Sequence, residues 1–231
     1  MTKNQLQQAR TIYLILASLF ITSLVTSNLI FQKFFSWNPF GLYNFELSVG
    51  IIAYPVTFII TDIISEIYGR KHAQKVVVAG LFASAFALLI IVVSSGATAT
   101  SWSPIDDSTF KHVFGFTFIA VAASMTAYLL AQFIDVQIFH FWKKITKGKH
   151  LWLRNNFSTF SSQFIDTITI LVLLCSFDVI DWHRFWPLMI NGYLFKAIFA
   201  LLDTPLVYIS VYALRRYFNL EGHGVEVELD V

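Results

Sequence analysis

Charged residues are scarce in this chain: Asp, Glu, Lys and Arg make up 13% of its 231 residues, against about 25% in a typical soluble domain, whose surface must be hydrated. With 56% hydrophobic residues and a mean hydropathy of +0.65, the deficit excludes a water-soluble fold with one core. Cysteine is nearly absent. Cys175 stands alone in an apolar run, which excludes an internal disulfide framework and predicts a small buried apolar residue. The six histidines, His72, His112, His140, His150, His183 and His223, are scattered without metal-ligand spacing, so no metal site is expected. No glycine-rich loop of the Walker type is present, which excludes ATP hydrolysis by this chain. Nor is there the short apolar core and small-residue cleavage pattern of a signal peptide after the polar residues 1–10; the first apolar segment reads as a retained helix.

What is abundant is long apolar sequence. Blocks near the roughly 20 residues needed to cross a bilayer as helix fall at 11–30, 46–68, 76–95, 112–141, 157–177 and 186–214. The expectation is an all-α membrane protein of six transmembrane helices. Residues 1–10 form a cytoplasmic N-terminal segment, 11–214 the transmembrane domain and 215–231 a cytoplasmic polar tail. Basic residues set the direction. With the N-terminus inside, twelve of them (Lys3, Arg10, Arg70, Lys71, Lys75, Lys143, Lys144, Lys147, Lys149, Arg154, Arg215, Arg216) lie on the cytoplasmic side, against Lys33, Lys111 and Arg184 outside. That asymmetry orients multispanning proteins. All six tryptophans fall in or beside predicted loops, where an indole keeps its N–H wet. The basic run Lys143-Lys144-Ile145-Thr146-Lys147-Gly148-Lys149 lies between two spans, so it reads as a topology signal touching anionic lipid rather than nucleic acid. Asp106-Asp107 reads as a solvated outer loop.

Six charged residues nevertheless sit inside the spans: Asp62, Glu66, Asp135, Asp166, Asp203 and Lys196. Each costs about 2.5–3.5 kcal/mol near the bilayer centre, so each must face protein or water. Helical rise estimates their depth. Asp62 and Asp135 stand eight residues from Arg70 and Lys143, or roughly 12 Å from the cytoplasmic boundary. Asp166 and Asp203 stand twelve from Arg154 and Arg215, or roughly 18 Å. Four aspartates on four helices therefore share one layer about the midplane. Gln132-Phe133-Ile134-Asp135 also recurs 31 positions later as Gln163-Phe164-Ile165-Asp166. In both copies Gln and Asp share a helix face, as in two halves of one pocket. Other polar groups, among them Asn28, Asn156, Asn191 and Thr204, lie around this layer. Glu66 reads as a salt bridge with Arg70 and Lys71 that closes the cytoplasmic end; Asp62 either shares that network or serves the site. Lys196 and Asp203, seven apart, either neutralise each other or act in transport. Single Ser and Thr residues are expected to bond their own helix carbonyls.

These same residues carry a family resemblance. The stretches 54–69 (Tyr-Pro-Val-Thr-Phe-Ile-Ile-Thr-Asp-Ile-Ile-Ser-Glu-Ile-Tyr-Gly), 131–136, 154–159 (Arg-Asn-Asn-Phe-Ser-Thr), 162–167 and 202–205 (Leu-Asp-Thr-Pro) resemble, in order, the blocks of the queuosine precursor transporters, formerly named as vitamin uptake transporters. Ser27-Asn28-Leu29 extends the likeness into the first span. The resemblance implies a bundle like the substrate binders of energy-coupling-factor systems. It also implies uptake of 7-deazaguanine bases, the 7-cyano and 7-aminomethyl forms, across a bacterial cytoplasmic (inner) membrane. A guanine-type edge offers N–H donors to a carboxylate and a carbonyl to an amide. Asp135 and Asp166 are then assigned to the donor edge, and Gln132 and Gln163 to the carbonyl or ring nitrogens. Asn28, Asn156, Asp62 and Asp203 complete the cavity, and Glu66, Arg70 and Lys196 have structural or gating roles. No cofactor, catalytic residue or nucleic-acid partner is implied; the partners are the small base and lipid. Homo-oligomerisation and an ATPase module remain open. Competing classes are an energy-coupling-factor vitamin binder, an intramembrane aspartate-dependent enzyme and a channel.

Overall fold

The apolar runs form helices because the bilayer leaves no other way to satisfy a single-pass backbone. In the computed structural model, α1 spans Lys3–Ile30, α2 Tyr54–Tyr68, α3 Arg70–Ser95, α4 Asp107–Phe114, α5 Thr117–Ile145, α6 Leu151–Ser176 and α7 Phe185–Tyr217, with strands β1 at Phe34–Trp37 and β2 at Phe45–Ser48. The structure describes residues 2–145, 151–220, 225–227 and 229; the side chains of 132, 133, 135, 136, 139, 140, 142–144 and 151–159 lie outside the description. Among the described residues, Lys3–Ile30, Val49–Tyr68, Arg70–Ser95, Asp107–Ala131 and Trp182–Tyr217 are long and apolar enough to cross a membrane, and Phe160–Ser176 is a shorter apolar helix. The chain is a multi-pass membrane protein of five to six spans. Phe82, Phe86 and Val93 on α3 are exposed, as a lipid-facing surface requires.

Several expectations change. The all-α reading misses an antiparallel hairpin, in which Phe34 pairs with Ser48, Phe35 with Leu47, Ser36 with Glu46 and Trp37 with Phe45. Phe45 and Leu47 are buried while Glu46 and Ser48 are half-buried, the period-two alternation of a strand. The second span therefore does not begin as helix at 46. It enters through a 3-10 turn, Val49–Ala53, and becomes α2 only at Tyr54, with Pro55 in its first turn, where a missing N–H costs nothing. The fourth span is broken at Gly115, where an added Cβ would stand 2.4 Å from the Lys111 carbonyl oxygen. Before that break, Asp106 is not a loose loop residue but the N-cap of α4. Its Oδ1 accepts from the Thr109 N–H at 2.7 Å and its Oδ2 from the Ser108 hydroxyl at 3.0 Å. The Thr109 bonds, followed by Ser108, hold its carboxyl below the ordinary value.

The chain divides into two compact units. One comprises Met1–Ile30, Gly50–Leu89 and Ile198–Val231. Its core joins Phe20 of α1, Ile60, Ile63, Ile64, Ile67 and Tyr68 of α2, and Phe218 beyond α7. The Tyr68 hydroxyl, deep in this core, donates to the Ala9 carbonyl at 2.9 Å, which meets the cost of burying it. Gly80 admits Phe20 and Leu24, which would stand 3.0 and 2.9 Å from an added Cβ. The tail, expected to be polar and outside the domain, returns to this core: Val227 and Leu229 are buried, and the Val227 N–H donates to the Ile67 carbonyl at 2.7 Å. Leu229→Ala is therefore expected to destabilise this unit by about 2 kcal/mol, the lower end for a buried leucine. A thermal melt in detergent indistinguishable from the parent would show that the docked tail contributes nothing.

The other unit comprises Phe31–Val49 and Ile90–Ala197. Here α5 and α6 pack extensively against one another. Buried Ala120, Ala123, Ala127 and Ala131 recur along α5, and small residues at this spacing let helices approach closely. The core continues through Leu171, Leu174 and Cys175 of α6 to Phe185, Leu188 and Met189 of α7. Cys175 is wholly buried, as its apolar setting predicts.

Candidate functional site

In the second unit, one face of α6 carries Ser162, Gln163, Asp166 and Thr167, and the first half of α7 carries Asn191 and Lys196. Ser162, Thr167, Asn191 and Lys196 are all buried. This concentration of polar groups between apolar helices is set by i, i+3 and i+4 spacing on α6. The Lys196 ammonium meets Asp166 Oδ2 at 2.5 Å, with side-chain exposures of 6% and 14%, so the pair is largely desolvated. Such a pair is stable only when both charges keep their partners. The Thr167 hydroxyl donates to the Gln163 carbonyl at 2.8 Å, one of several hydroxyls that bond their own helix, as do Thr61, Ser95 and Thr204. Gly192 lies where α7 approaches α6: its added Cβ would meet the Thr167 methyl at 3.5 Å.

The hairpin closes over this part of α7. The Tyr43 hydroxyl donates to Asn191 Oδ1 at 2.8 Å, Trp37 stands edge-on to Phe195, and Arg184 binds Glu46 at 3.2 Å. Phe164 of α6 and Tyr193 of α7 stand edge-to-face, 5.7 Å apart. Tyr43 and Phe195 were not singled out from the sequence, and Trp37 only as an interfacial tryptophan. The period-two burial of β2 was the available signal, masked by the apolar run that follows it.

Spacing along α7 allows Lys196 to pair with Asp203; its ammonium meets Asp166. Asp166 presents its carboxylate to Lys196 from the neighbouring helix α6. Asp203 is buried, and its Oδ2 has no hydrogen-bond partner among the described residues. It belongs to the first unit, where Asp62 lies within electrostatic reach of both Asp203 and Glu66. Asn28 is buried on α1 of the same unit. Asp62 and Glu66 are exposed. The predicted Glu66–Arg70 bridge is not formed among the described residues. Gly69, at φ +87° and ψ 158°, ends α2, and Arg70 starts α3 on a new axis, so the i, i+4 relation is lost. Gln132, Asp135 and Asn156 sit on the helical backbones of α5 and α6, but their side chains lie outside the described residues. The packing of α5 on α6 does bring the two Gln–Asp segments onto neighbouring helices. Among the described residues no cluster of three or more His, Cys, Asp or Glu is placed to hold a metal.

The arrangement can recognise a small molecule with both donors and acceptors. A carboxylate has about four lone-pair sites, so Asp166 can hold Lys196 and still accept from another donor. The Gln163 amide can donate and accept.

Comparison with known proteins bears on the family of the chain. The family model described as "Putative vitamin uptake transporter" matches residues 48–210. A Bacillus subtilis (strain 168) protein named "Probable queuosine precursor transporter" is 28% identical over 170 residues, covering 72% of each chain. An Escherichia coli (strain K12) protein named "Queuosine precursor transporter" is 24% identical over 165 residues, covering 71% of this chain and 72% of its own. No solved structure matches the chain.

Proposed function

Since the chain belongs to the vitamin uptake transporter family, we propose that this membrane transporter carries queuosine precursors, the 7-deazaguanine bases with a 7-cyano or 7-aminomethyl group. The names of its two relatives support the precursor class. The observation that carries the finer reading is the polar face of α6, with Gln163 one turn before a half-buried Asp166 that is joined to buried Lys196. In an apolar helix bundle such groups persist only where something uses them. In this reading Asp166 accepts N–H groups of the guanine-type edge, as Asp135 does from α5, and Gln163 and Gln132 meet its carbonyl or ring nitrogens. Discrimination comes from leaving these polar groups unpaired when the wrong base enters. Asn28, Asp62, Asn156 and Asp203 are assigned to the rest of the path. The excess of basic residues in 143–154 and 215–216 supports both termini facing the cytoplasm of a bacterial inner membrane. No ATPase partner is invoked.

The test is uptake of labelled precursor by cells that cannot synthesise it. Asp166→Ala and Gln163→Ala are each expected to reduce uptake to background while the protein still reaches the membrane. Normal uptake by both well-expressed variants would remove these residues from the site.

A further inference from the structure

We propose that the hairpin of β1 and β2 is re-entrant and lines a watery outer approach to the Lys196–Asp166 pair, where Trp37 and Tyr43 form a stacking site for a flat heteroaromatic base. The proposal rests on the substrate reading above and deepens it. Helical rise gives the depth of the pair. Asp166 stands ten residues before the end of α6 at Ser176, and Lys196 eleven after the start of α7 at Phe185, or roughly 15 and 17 Å. The hydrocarbon core is about 30 Å thick, so both helices place the pair near its middle. Contacts of the hairpin descend α7 from that same end. Glu46 meets Arg184 at 3.2 Å, Tyr43 donates to Asn191 at 2.8 Å, and Trp37 stands edge-on to Phe195, the chain neighbour of Lys196. From Glu46 back to Tyr43 is three residues, roughly 10 Å of extended chain. From Arg184 to Asn191 is seven, roughly 10.5 Å of helix. Hairpin and helix therefore run side by side, with the turn of the hairpin inward. A two-stranded sheet has two open edges, whose backbone groups are tolerated at this depth only against protein or water. Ser36, Asn38 and Asn44 are exposed towards the turn, polar side chains that suit water, while Phe40 and Leu42 add apolar lining. Trp37 and Tyr43 are 36% and 46% exposed, yet both are held. Buried Phe45 stands 5.6 Å from the ring of Trp37 and 4.7 Å from that of Tyr43, and Asn191 fixes the Tyr43 hydroxyl. Rings already fixed lose little freedom when a base stacks on them.

The experiment first places single cysteines on the hairpin. Cys175 of the parent is wholly buried and gives the unlabelled background. In right-side-out vesicles, Ser36→Cys and Asn38→Cys are each expected to react with a charged thiol reagent that does not cross the membrane, because such a reagent needs water. With 7-cyano-7-deazaguanine at about ten times its dissociation constant, the reaction is expected to slow about tenfold, in step with the sites left empty. Binding to purified variants then reads the rings. Trp37→Leu and Tyr43→Leu are expected to weaken binding of that base about tenfold or more, the scale of one lost stack. Trp37→Phe and Tyr43→Phe keep a ring and should retain most of the affinity. The cysteine variants sit at exposed positions, so the test does not depend on the leucine variants folding. No labelling at either position puts the hairpin in lipid or packed protein and overturns the proposal. Labelling untouched by bound base, or leucine variants that bind like the parent, overturns the stacking site. So does a Tyr43→Phe protein as weak as Tyr43→Leu, which would assign the effect to the hydroxyl. If the parent binds neither the 7-cyano nor the 7-aminomethyl base, the substrate reading fails and the stacking site with it, whereas labelling judges the re-entrant path by itself.

Discussion

Lys196→Met alone is expected to cost the folded protein about 3–5 kcal/mol, the usual penalty for removing one partner of a buried ion pair. The loss comes less from the attraction itself than from taking the ammonium away from an Asp166 side chain that is only 14% exposed. Asp166→Leu is expected to be similarly damaging, since it takes a carboxylate away from a lysine that is 6% exposed. The double variant, with both residues apolar, should recover most of the loss, because well-packed apolar replacements of buried pairs are often neutral or stabilising. Denaturant midpoints in detergent for the four proteins of this cycle give the coupling directly. Strictly additive effects, or a Lys196→Met protein as stable as the parent, would mean that the pair is too hydrated to matter. Recovered stability should not bring recovered uptake, since the double variant has lost the acceptor assigned to the base. That separation distinguishes a neutralising pair from a working one.

Gly69→Ala is the second substitution with a large expected effect, about 1–3 kcal/mol of destabilisation. At φ +87° and ψ 158° this residue occupies a region open essentially to glycine alone. It has to, because α2 ends at Tyr68 and α3 starts at Arg70, leaving one residue to turn the chain. An added Cβ would also stand 2.1 Å from the Glu226 carboxylate. That second conflict is minor, since a glutamate side chain can swing aside, and Glu226→Ala tests it. In the Glu226→Ala background Gly69→Ala should remain nearly as harmful, because backbone strain is untouched. Full rescue would show that the tail contact, and not the turn, sets the requirement for glycine.

The hairpin, the turn at Gly69 and the Lys196 pair show where reading the sequence stopped. Hydropathy located the apolar helices because burial in lipid is a property of local composition. It placed the start of the second span too early, because the alternating Phe45-Glu46-Leu47-Ser48 runs without a break into apolar residues. A strand of four residues then looks like the first turn of a long helix. Helical spacing put Glu66 and Arg70 one turn apart, which holds only while one helix continues through both. The tail appeared polar because charged residues are frequent in it, although Val227 and Leu229, two apart, are buried. In the site, the polar face of α6 was legible from the Gln–Asp repeat. The partner of Asp166 was not, since spacing along one helix ranks only partners on that helix.

Sequence by itself determined that this protein lives in a membrane, where its helices run, and that acids and amides had to be hidden from lipid. These follow from local quantities: residue-by-residue transfer cost and a rise of about 1.5 Å per residue. Tertiary structure alone decided which charge answers which. Lys196 turns to Asp166 because α6 and α7 approach where Gly192 meets Thr167, and the rotation of one helix against another is written in no single segment of the chain.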